Sequence, residues 1–224
     1  MPNRERDNAI ASTSYHSPVI MEEKIYPEYQ AKIKEVNQNA MLSALGELQL
    51  NESRYWYESI KETILGDGHH STFSKTCGSI RNTFNPEYVT GGLDNCRHFV
   101  CSASGTTVGI IILMLAKPNE PDDADQIAFI ATYPNGYGYG GLLVQHVVNI
   151  SHALGHQGIL DVKAEPDAEI FYPKLGFVTI SDFLGLKRMR LTPTGNSKWH
   201  QLNGKYQLKR TPRPRNSNWQ CHIL

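Results

Sequence analysis

The chain has 224 residues, enough to hide about 70% of its surface on folding and so to build one sizeable core. Lys plus Arg and Asp plus Glu each number 22, a balance that gives no general attraction to nucleic acid or anionic lipid. The most apolar run, residues 108–116, is too short for a membrane helix, and the N-terminus lacks the apolar segment of a secretion signal. We therefore expect a cytoplasmic protein, with neither a membrane nor nucleic acid as its partner.

The cysteines and the two ends of the chain indicate the redox state of the protein and the bounds of its domain. The four cysteines form no C-x-x-C pair, so we expect reduced thiols and no metal site. Residues 1–20 and 211–224 are polar or rich in Pro and Arg, which predicts a flexible tail at each end. Between them, residues 21–210 are expected to form a single domain.

The first half of this domain is predicted to contain two helices and a hairpin. Residues 21–50 and 53–65 are rich in helix formers, and the glycines at 66 and 68 predict a turn after the second helix. Residues 97–104 and 106–116 are rich in β-branched side chains and predict two antiparallel strands.

The second half alternates strands and helices. Residues 127–133 predict a strand, and a glycine cluster leads from it into a helix with one apolar stripe through Leu143 and Val147. The opposite stripe, which includes Gln145, Asn149 and His152, is expected to face solvent. Further strands are predicted over 159–164, 178–180 and 187–191, with a short helix opening at Pro166.

The glycine cluster carries the strongest chemical signal. Gly136, Gly138, Gly140 and Gly141 stand between a predicted strand and a predicted helix. Glycines allow backbone N–H groups to approach a ligand closely, and a helix N-terminus adds about half a positive charge. The sequence therefore predicts an anion-binding cradle that fits a pyrophosphate.

One interpretation of this cradle is a dinucleotide-binding oxidoreductase. Gly136, Gly138 and Gly141 satisfy G-x-G-x-x-G, and Asp161 and Glu165 follow about 20 residues later, where an acid would bind a ribose. Such a fold needs several more strand–helix units than this chain predicts. The topology therefore fits this interpretation poorly.

Two motifs resemble the GNAT acyltransferase family. Residues 135–140 resemble the family's R/Q-x-x-G-x-G/A loop, and Ala168, Tyr172, Gly176 and Phe177 match its A-x-x-x-Y-x-x-x-G-F pattern. The resemblance implies an α/β fold with a mixed, mostly antiparallel sheet flanked by helices on both faces. It also implies transfer of an acyl group, expected to be acetyl, from acyl-CoA to an amine by direct attack.

The resemblance assigns a role to each matching residue. The backbone of Ile130, Ala131 and Thr132 would bind the pantetheine arm of acetyl-CoA, and Tyr172 would protonate the departing CoA thiolate. The loop that would seat the pyrophosphate consists of Asn135, Gly136, Tyr137, Gly138, Tyr139, Gly140 and Gly141.

Two positions depart from the family pattern. Asn135 replaces the usual Arg or Gln, and Ala128 stands where many relatives have the glutamate that deprotonates the amine. Glu165 and the loop with Asp122, Asp123 and Asp125 are the alternative candidates for the base. These departures keep a second interpretation open, a non-catalytic CoA-binding module. The sequence leaves open which amine is the acceptor, and whether the chain forms a homodimer.

Overall fold

The computed structural model describes residues 24–26, 30–60, 68–84, 95–117 and 124–209. Its helices are α1 (Gln38–Ile60), α2 (Gly68–Thr83), α3 (Tyr139–Ala153) and α4 (Phe171–Lys174), with a 3₁₀ turn at Pro166–Ala168. Its strands are β1 (Lys24–Tyr26), β2 (Ala31–Val36), β3 (Cys96–Ala103), β4 (Thr106–Met114), β5 (Asp125–Thr132), β6 (Leu160–Ala164), β7 (Val178–Phe183), β8 (Leu186–Leu191), β9 (Trp199–Leu202) and β10 (Lys205–Leu208).

Eight strands form one sheet in the order β1-β2-β3-β4-β5-β6-β8-β7. The β5–β6 pair is parallel, and every other neighbouring pair of this sheet is antiparallel. Strands β9 and β10 form a separate hairpin. Helices pack on both faces of the large sheet, so the fold class expected from the sequence is confirmed.

The helix predicted over residues 21–50 is wrong in its first half. Residues 31–36 form β2 instead, with Ala31 and Ile33 buried and Lys32 and Lys34 exposed. This alternation has the two-residue period of a strand, and pairing with β3 outweighs the helix propensity of the individual residues. Helix α1 begins only after Asn37, whose side-chain oxygen accepts the Ala40 N–H at 2.9 Å.

The second predicted helix also has different bounds. Helix α1 runs without a break through residues 51–60, whereas residues 61–67, with most of the predicted turn, lie outside the described residues. Helix α2 then begins at Gly68, in a segment for which the sequence pattern predicts no helix.

The remaining predicted elements are confirmed with small shifts of their bounds. The β3–β4 hairpin turns through Ser104 and Gly105, both with positive φ angles (49° and 81°), as a two-residue turn between twisted strands requires. Strand β5, helix α3 and strand β6 follow in the predicted order.

The sheet separates two apolar cores. Residues of β2 to β6 and β8 pack against α3 on one face, and residues of β3 to β5 pack against α1 and α2 on the other. The side chains of β6 show the division: Leu160, Val162 and Ala164 are buried in the α3 core, whereas Lys163 on the opposite face is exposed. In the described ranges, no helix is long and apolar enough to span a bilayer.

The β9–β10 hairpin covers the polar stripe of α3, so the expectation that this stripe faces solvent is wrong. Asn149 donates to the Tyr206 carbonyl (2.9 Å) and accepts its N–H (2.8 Å), and Gln145 accepts the Leu208 N–H (2.9 Å). Trp199 donates its indole N–H to the Leu175 carbonyl at 2.7 Å. The amides of α3 thus satisfy strand backbone groups and hold the hairpin in place.

Candidate functional site

The parallel strands β5 and β6 pair over only three residues each. Asp125, Gln126 and Ile127 lie opposite Leu160, Asp161 and Val162, and the register ends there although both strands continue. Beyond this point, residues 128–132 of β5 have no partner in β6, and we call the place where the two strands part the β5/β6 gap. Strand edges present N–H and C=O groups that an extended ligand can use like an added strand.

The candidate residues Ile130, Ala131 and Thr132 all border this gap. On their other side they pair with Ile111, Ile110 and Gly109 of β4. At Gly109 a Cβ atom would lie 2.9 Å from both the Leu143 Cδ1 and the Thr132 Cγ2 atoms, so only glycine lets β4, β5 and α3 approach this closely. Tight packing of β4 and α3 against β5 therefore fixes the position of the gap.

Helix α3 begins directly after β5 with an N-terminus built from glycine. Gly138 is the N-cap residue with a φ of 85° and provides no side-chain cap, and Gly136 has a φ of 83°. The first intrahelical bond runs from the Leu142 N–H to the Gly138 carbonyl at 3.0 Å. The N–H groups of Gly140 and Gly141 precede it and have no acceptor within the helix, which suits an anion.

Of the other two glycines of the cradle, one is required by close packing. A Cβ atom at Gly140 would lie 3.0 Å from the Phe171 ring of α4, closer than ordinary van der Waals contact. At Gly141 it would lie 3.4 Å from Leu208 and 3.5 Å from Leu175, which is ordinary contact. The motif therefore combines conformational freedom at two positions with close helix packing at a third.

The side chains of the cradle loop surround these glycines. Asn135 is exposed, Tyr137 is largely exposed and Tyr139 is half-buried. The rings of the two tyrosines stack on each other with their centroids 6.0 Å apart and their planes 7° apart. Burial raises the pKa of Tyr139 above its ordinary value. The described side chains of residues 135–141 therefore contribute amide and hydroxyl groups and no cation.

Tyr172, the candidate acid, lies in α4 with only 5% of its surface exposed. Its ring makes edge contacts with Phe171 and Phe177. Burial raises the pKa of Tyr172, and the Glu165 carboxylate raises it further. The hydroxyl therefore keeps its proton throughout the neutral range, and it is a weaker acid than an exposed tyrosine.

The residues considered for the base lie in different places. Glu165 is exposed directly after β6, and its carboxylate contributes to the raised pKa of Tyr172. Ala128 is the extra residue where the β4–β5 register shifts, and it packs toward the α1/α2 core. On this face of the gap, the side chain at position 128 is therefore a methyl group and not a carboxylate.

The structure rules out Asp125 as a base at the gap. It begins β5, two residues before the last β5–β6 pair, and so lies in the paired part of the strands, outside the gap. Its side chain is fully buried, accepts the Ala116 N–H at 2.8 Å and lies 2.8 Å from the His156 Nδ1 atom. Asp122 and Asp123 lie outside the described residues.

Asp161 forms ion pairs with two arginines of β8, which differs from the ribose-binding role considered above. Its carboxylate accepts hydrogen bonds from Arg188 (2.9 and 2.6 Å) and Arg190 (2.6 and 2.9 Å). Burial alone would raise the pKa of Asp161, but these two arginines outweigh it and hold the pKa below its ordinary value. The mostly antiparallel sheet also disagrees with a dinucleotide-binding fold, which is built on parallel strands.

Comparisons with known proteins identify similar folds. No protein-family model and no curated protein matches the chain. Among solved structures, it is similar to the ribosomal-protein-S18-alanine N-acetyltransferase of Escherichia coli (15% identity over 72% of this chain and 92% of that chain, TM-score 0.42). It is also similar to the PaiA N-acetyltransferase of Thermoplasma acidophilum in complex with coenzyme A (14%, 72% and 98%, TM-score 0.47). A third is described as an acetyltransferase of the GNAT family from Desulfovibrio desulfuricans (13%, 72% and 98%, TM-score 0.46). Likeness at this level says nothing about activity.

The described cysteines take no part in the site. Cys77, Cys96 and Cys101 are free thiols, and burial raises their pKa values to about 12, 11 and 12. Thiols with such pKa values stay protonated and unreactive at neutral pH. Cys221 lies outside the described residues.

Sequence reasoning missed the cationic groups near the gap. Arg188 and Arg190 alternate along β8, and the register places them opposite Lys163 and Asp161 of β6. Alternating basic residues within the segment LKRMRL were the available signal, but only the strand pairing shows which acid they meet.

Proposed function

We propose that the chain is an acyl-CoA-dependent N-acyltransferase that moves an acetyl group from acetyl-CoA to an amine. The observation that carries this proposal is the early end of the β5–β6 pairing in the strand that leads into the uncapped, glycine-built N-terminus of α3. A gap lined by strand backbone suits the amide groups of a pantetheine arm, and the helix N-terminus suits the pyrophosphate attached to it. Both features lie at the same end of β5, as a single extended ligand requires.

The proposed reaction is direct attack. The amine nitrogen forms a bond to the thioester carbonyl carbon, and the carbon–sulfur bond breaks. Tyr172 donates its hydroxyl proton to the sulfur, and water returns a proton to the phenolate. The reference pKa values of about 10 and 8.5 already make this transfer uphill by about 2 kcal/mol, and burial of Tyr172 makes it steeper. Transfer therefore accompanies bond breaking and does not precede it.

The amine needs its own route to lose a proton. A primary amine with a pKa of about 10.4 costs about 4.6 kcal/mol to deprotonate at pH 7. Ala128 supplies no carboxylate at the gap, whereas the carboxylate of Glu165, directly after β6, contributes to the raised pKa of Tyr172. We therefore assign the role of base to Glu165, either directly or through a water molecule.

A non-catalytic CoA-binding module is the second candidate. The methyl group of Ala128 favours it, because a binding protein has no use for a base at that position. Both candidates bind acetyl-CoA, so binding alone does not separate them. They differ in whether free thiol is released when an amine is present.

The first experiment measures thermal stabilisation by acetyl-CoA, CoA and NAD. A ligand at 100 times its dissociation constant stabilises the native state by about 2.7 kcal/mol, which is easily measured for a domain of this size. We expect acetyl-CoA and CoA to raise the Tm and NAD to leave it unchanged. Stabilisation by NAD alone would overturn the proposal and restore the oxidoreductase interpretation.

The second experiment measures free thiol release from acetyl-CoA in the presence of an amine panel. The enzyme releases thiol in proportion to acetylated amine, and Tyr172→Phe lowers the rate while CoA affinity stays the same. Binding without any thiol release would leave the non-catalytic module as the function.

We also propose a cytoplasmic location, on the basis of the free thiols in the described residues.

A further inference from the structure

We propose that the acceptor amine carries an anionic group, a carboxylate or a phosphate, and that Lys163, Arg188 and Arg190 bind it. We call these three residues the cationic face. This inference rests on the proposed acyltransfer function and adds the chemical class of the second substrate.

Strand register places the three residues on one face of the sheet. Lys163 lies opposite Arg188, and Asp161 lies opposite Arg190, so all four side chains leave β6 and β8 on the same side. The alternate residues of both strands are buried in the α3 core: Leu160, Val162, Ala164, Met189 and Leu191. The cationic face therefore lies on the side of the sheet away from α3.

The cationic face carries an excess of positive charge. Asp161 is one carboxylate shared by two guanidinium groups, and its side chain is only 3% exposed. The side chains of Arg188 and Arg190 are 45% and 30% exposed, and Lys163 is exposed beside them. Among the described residues on this face of β6 and β8, three are cations and Asp161 is the carboxylate between two of them, and Asp161 holds both guanidinium groups in fixed positions.

This surface adjoins the closed end of the β5/β6 gap. Ile127 and Val162 form the last pair before the strands part, and Lys163 is the next residue of β6. Arg188 lies directly across from Lys163, one strand spacing of about 4.8 Å away. Both charged groups are thus within about 10 Å of the point where the strands part, within the span of a short amine substrate.

An acceptor has to approach the gap from this side. The α3 side of β6 is filled by Leu160, Val162 and Ala164, each at most 2% exposed. On the opposite side the neighbouring β7 residues are open: Val178 pairs with Arg190, and Phe183 is 74% exposed. Arginine next to exposed apolar and aromatic surface is the composition that recognition sites favour.

The test compares three amines that differ only in their far end: hexylamine, 6-aminohexanoate and 6-aminohexyl phosphate. We expect the wild-type enzyme to acetylate both anionic amines with a kcat/KM at least tenfold higher than that of hexylamine, mainly through a lower KM. The carboxylate and phosphate arms show which anion the site prefers.

Arg188→Gln is expected to reduce this preference at least fivefold, measured as the ratio of kcat/KM for 6-aminohexanoate to kcat/KM for hexylamine. The matched control is Lys187→Gln, because Lys187 is the next residue on β8 but is on the opposite side and contacts Glu169. We expect that variant to keep the preference. Lys163→Gln, at an exposed position, repeats the test if Arg188→Gln does not fold.

The outcomes separate this inference from the proposed function. Equal kcat/KM values for hexylamine and the two anionic amines would overturn the anionic acceptor and leave the acyltransferase intact. The same holds if Arg188→Gln and Lys163→Gln both keep a full preference. If the wild-type chain binds no acetyl-CoA and releases no thiol with any amine, the proposed function fails and this inference fails with it.

Discussion

The two regions of the molecule that we assign to the two substrates are made of different groups. The acetyl-CoA region consists of backbone: the gap-facing edge of β5 and the N-terminus of α3, opened by glycines at 136 and 138. The region assigned to the acceptor consists of side chains on β6 and β8, ordered around Asp161. The acetyl-CoA region binds through backbone groups, which every residue has. The acceptor region binds through charged side chains, which only a few residues have.

This difference has a physical reason. Backbone N–H groups bind phosphate through their direction and through the helix dipole, whichever side chains stand nearby, provided that no Cβ atom blocks the approach. Side-chain groups recognise charge and shape, and a change of one residue changes what they bind. We expect the backbone region to govern donor affinity and the side-chain region to govern the choice of acceptor.

The largest expected effect comes from removing the acid that organises the side-chain region. Asp161→Asn leaves Arg188 and Arg190 without their shared carboxylate, and we expect a loss of about 3 kcal/mol in the free energy of unfolding at pH 7. Urea denaturation measures it. Because the pKa of Asp161 is lowered in the folded state, this contribution is present above pH 4 and is lost as the pH falls further. An Asp161→Asn variant as stable as the wild type at pH 7 would show that the ion pairs of Asp161 with Arg188 and Arg190 contribute no more to stability than exposed surface pairs do.

The next effect tests the junction of the two regions. Tyr172→Phe removes the proposed acid and keeps the ring that packs against Phe177, so we expect thiol release to fall about 100-fold with unchanged stability. CoA affinity, measured by calorimetry, is the control and should not change. Because the pKa of Tyr172 is raised, the wild-type rate should show no loss of this acid between pH 7 and 9. Unchanged turnover in the variant would remove Tyr172 from the mechanism.

A buried histidine gives the backbone region a pH response of its own. His146 of α3 is buried against Phe99, and burial together with Lys24 and Arg97 lowers its pKa to about 3. The unfolded chain binds this proton below about pH 6.5, so stability should decrease by about 1.4 kcal/mol for each pH unit below that value, down to the folded pKa. Denaturation curves from pH 7.5 to 5 measure the slope.

His146→Leu should abolish most of this slope, whereas His200→Gln, at an exposed ring, should keep it. The two regions therefore lose stability in separate windows, the α3 side below pH 6.5 and the Asp161 side below pH 4. A slope as steep in His146→Leu as in the wild type would contradict this assignment.

The smallest effect tests the backbone region directly. Gly138→Ala puts a side chain at a φ of 85° and should cost about 1–2 kcal/mol in stability, together with about a tenfold loss of CoA affinity. Gly105→Ala is the matched control, because it has a φ of 81° in an open turn distant in sequence from the cradle. Both variants should lose similar stability, but only Gly138→Ala should lose affinity. Equal affinity in the two variants would refute the cradle.

Much of the backbone geometry of the candidate site could be predicted because its signals are local. Glycines between a strand and a helix specify positive φ angles and close approach, and these depend on a few neighbouring residues. The errors arose where a local preference competed with pairing. Residues 31–36 contain good helix formers, yet pairing with β3 made them a strand, and the amides at 145 and 149 bind a hairpin instead of water.

By itself, the sequence determined the order of β5, the glycine loop, α3, β6 and α4, and with it the backbone cradle, because periodicity and glycine placement act within a few residues of the chain. Only the tertiary structure decided where the β5–β6 pairing ends, how deeply Tyr172 is buried, and which carboxylate joins Arg188 to Arg190. The strand register and the ion pairs join segments 27 to 35 residues apart, and such contacts form through packing and register that no local pattern encodes.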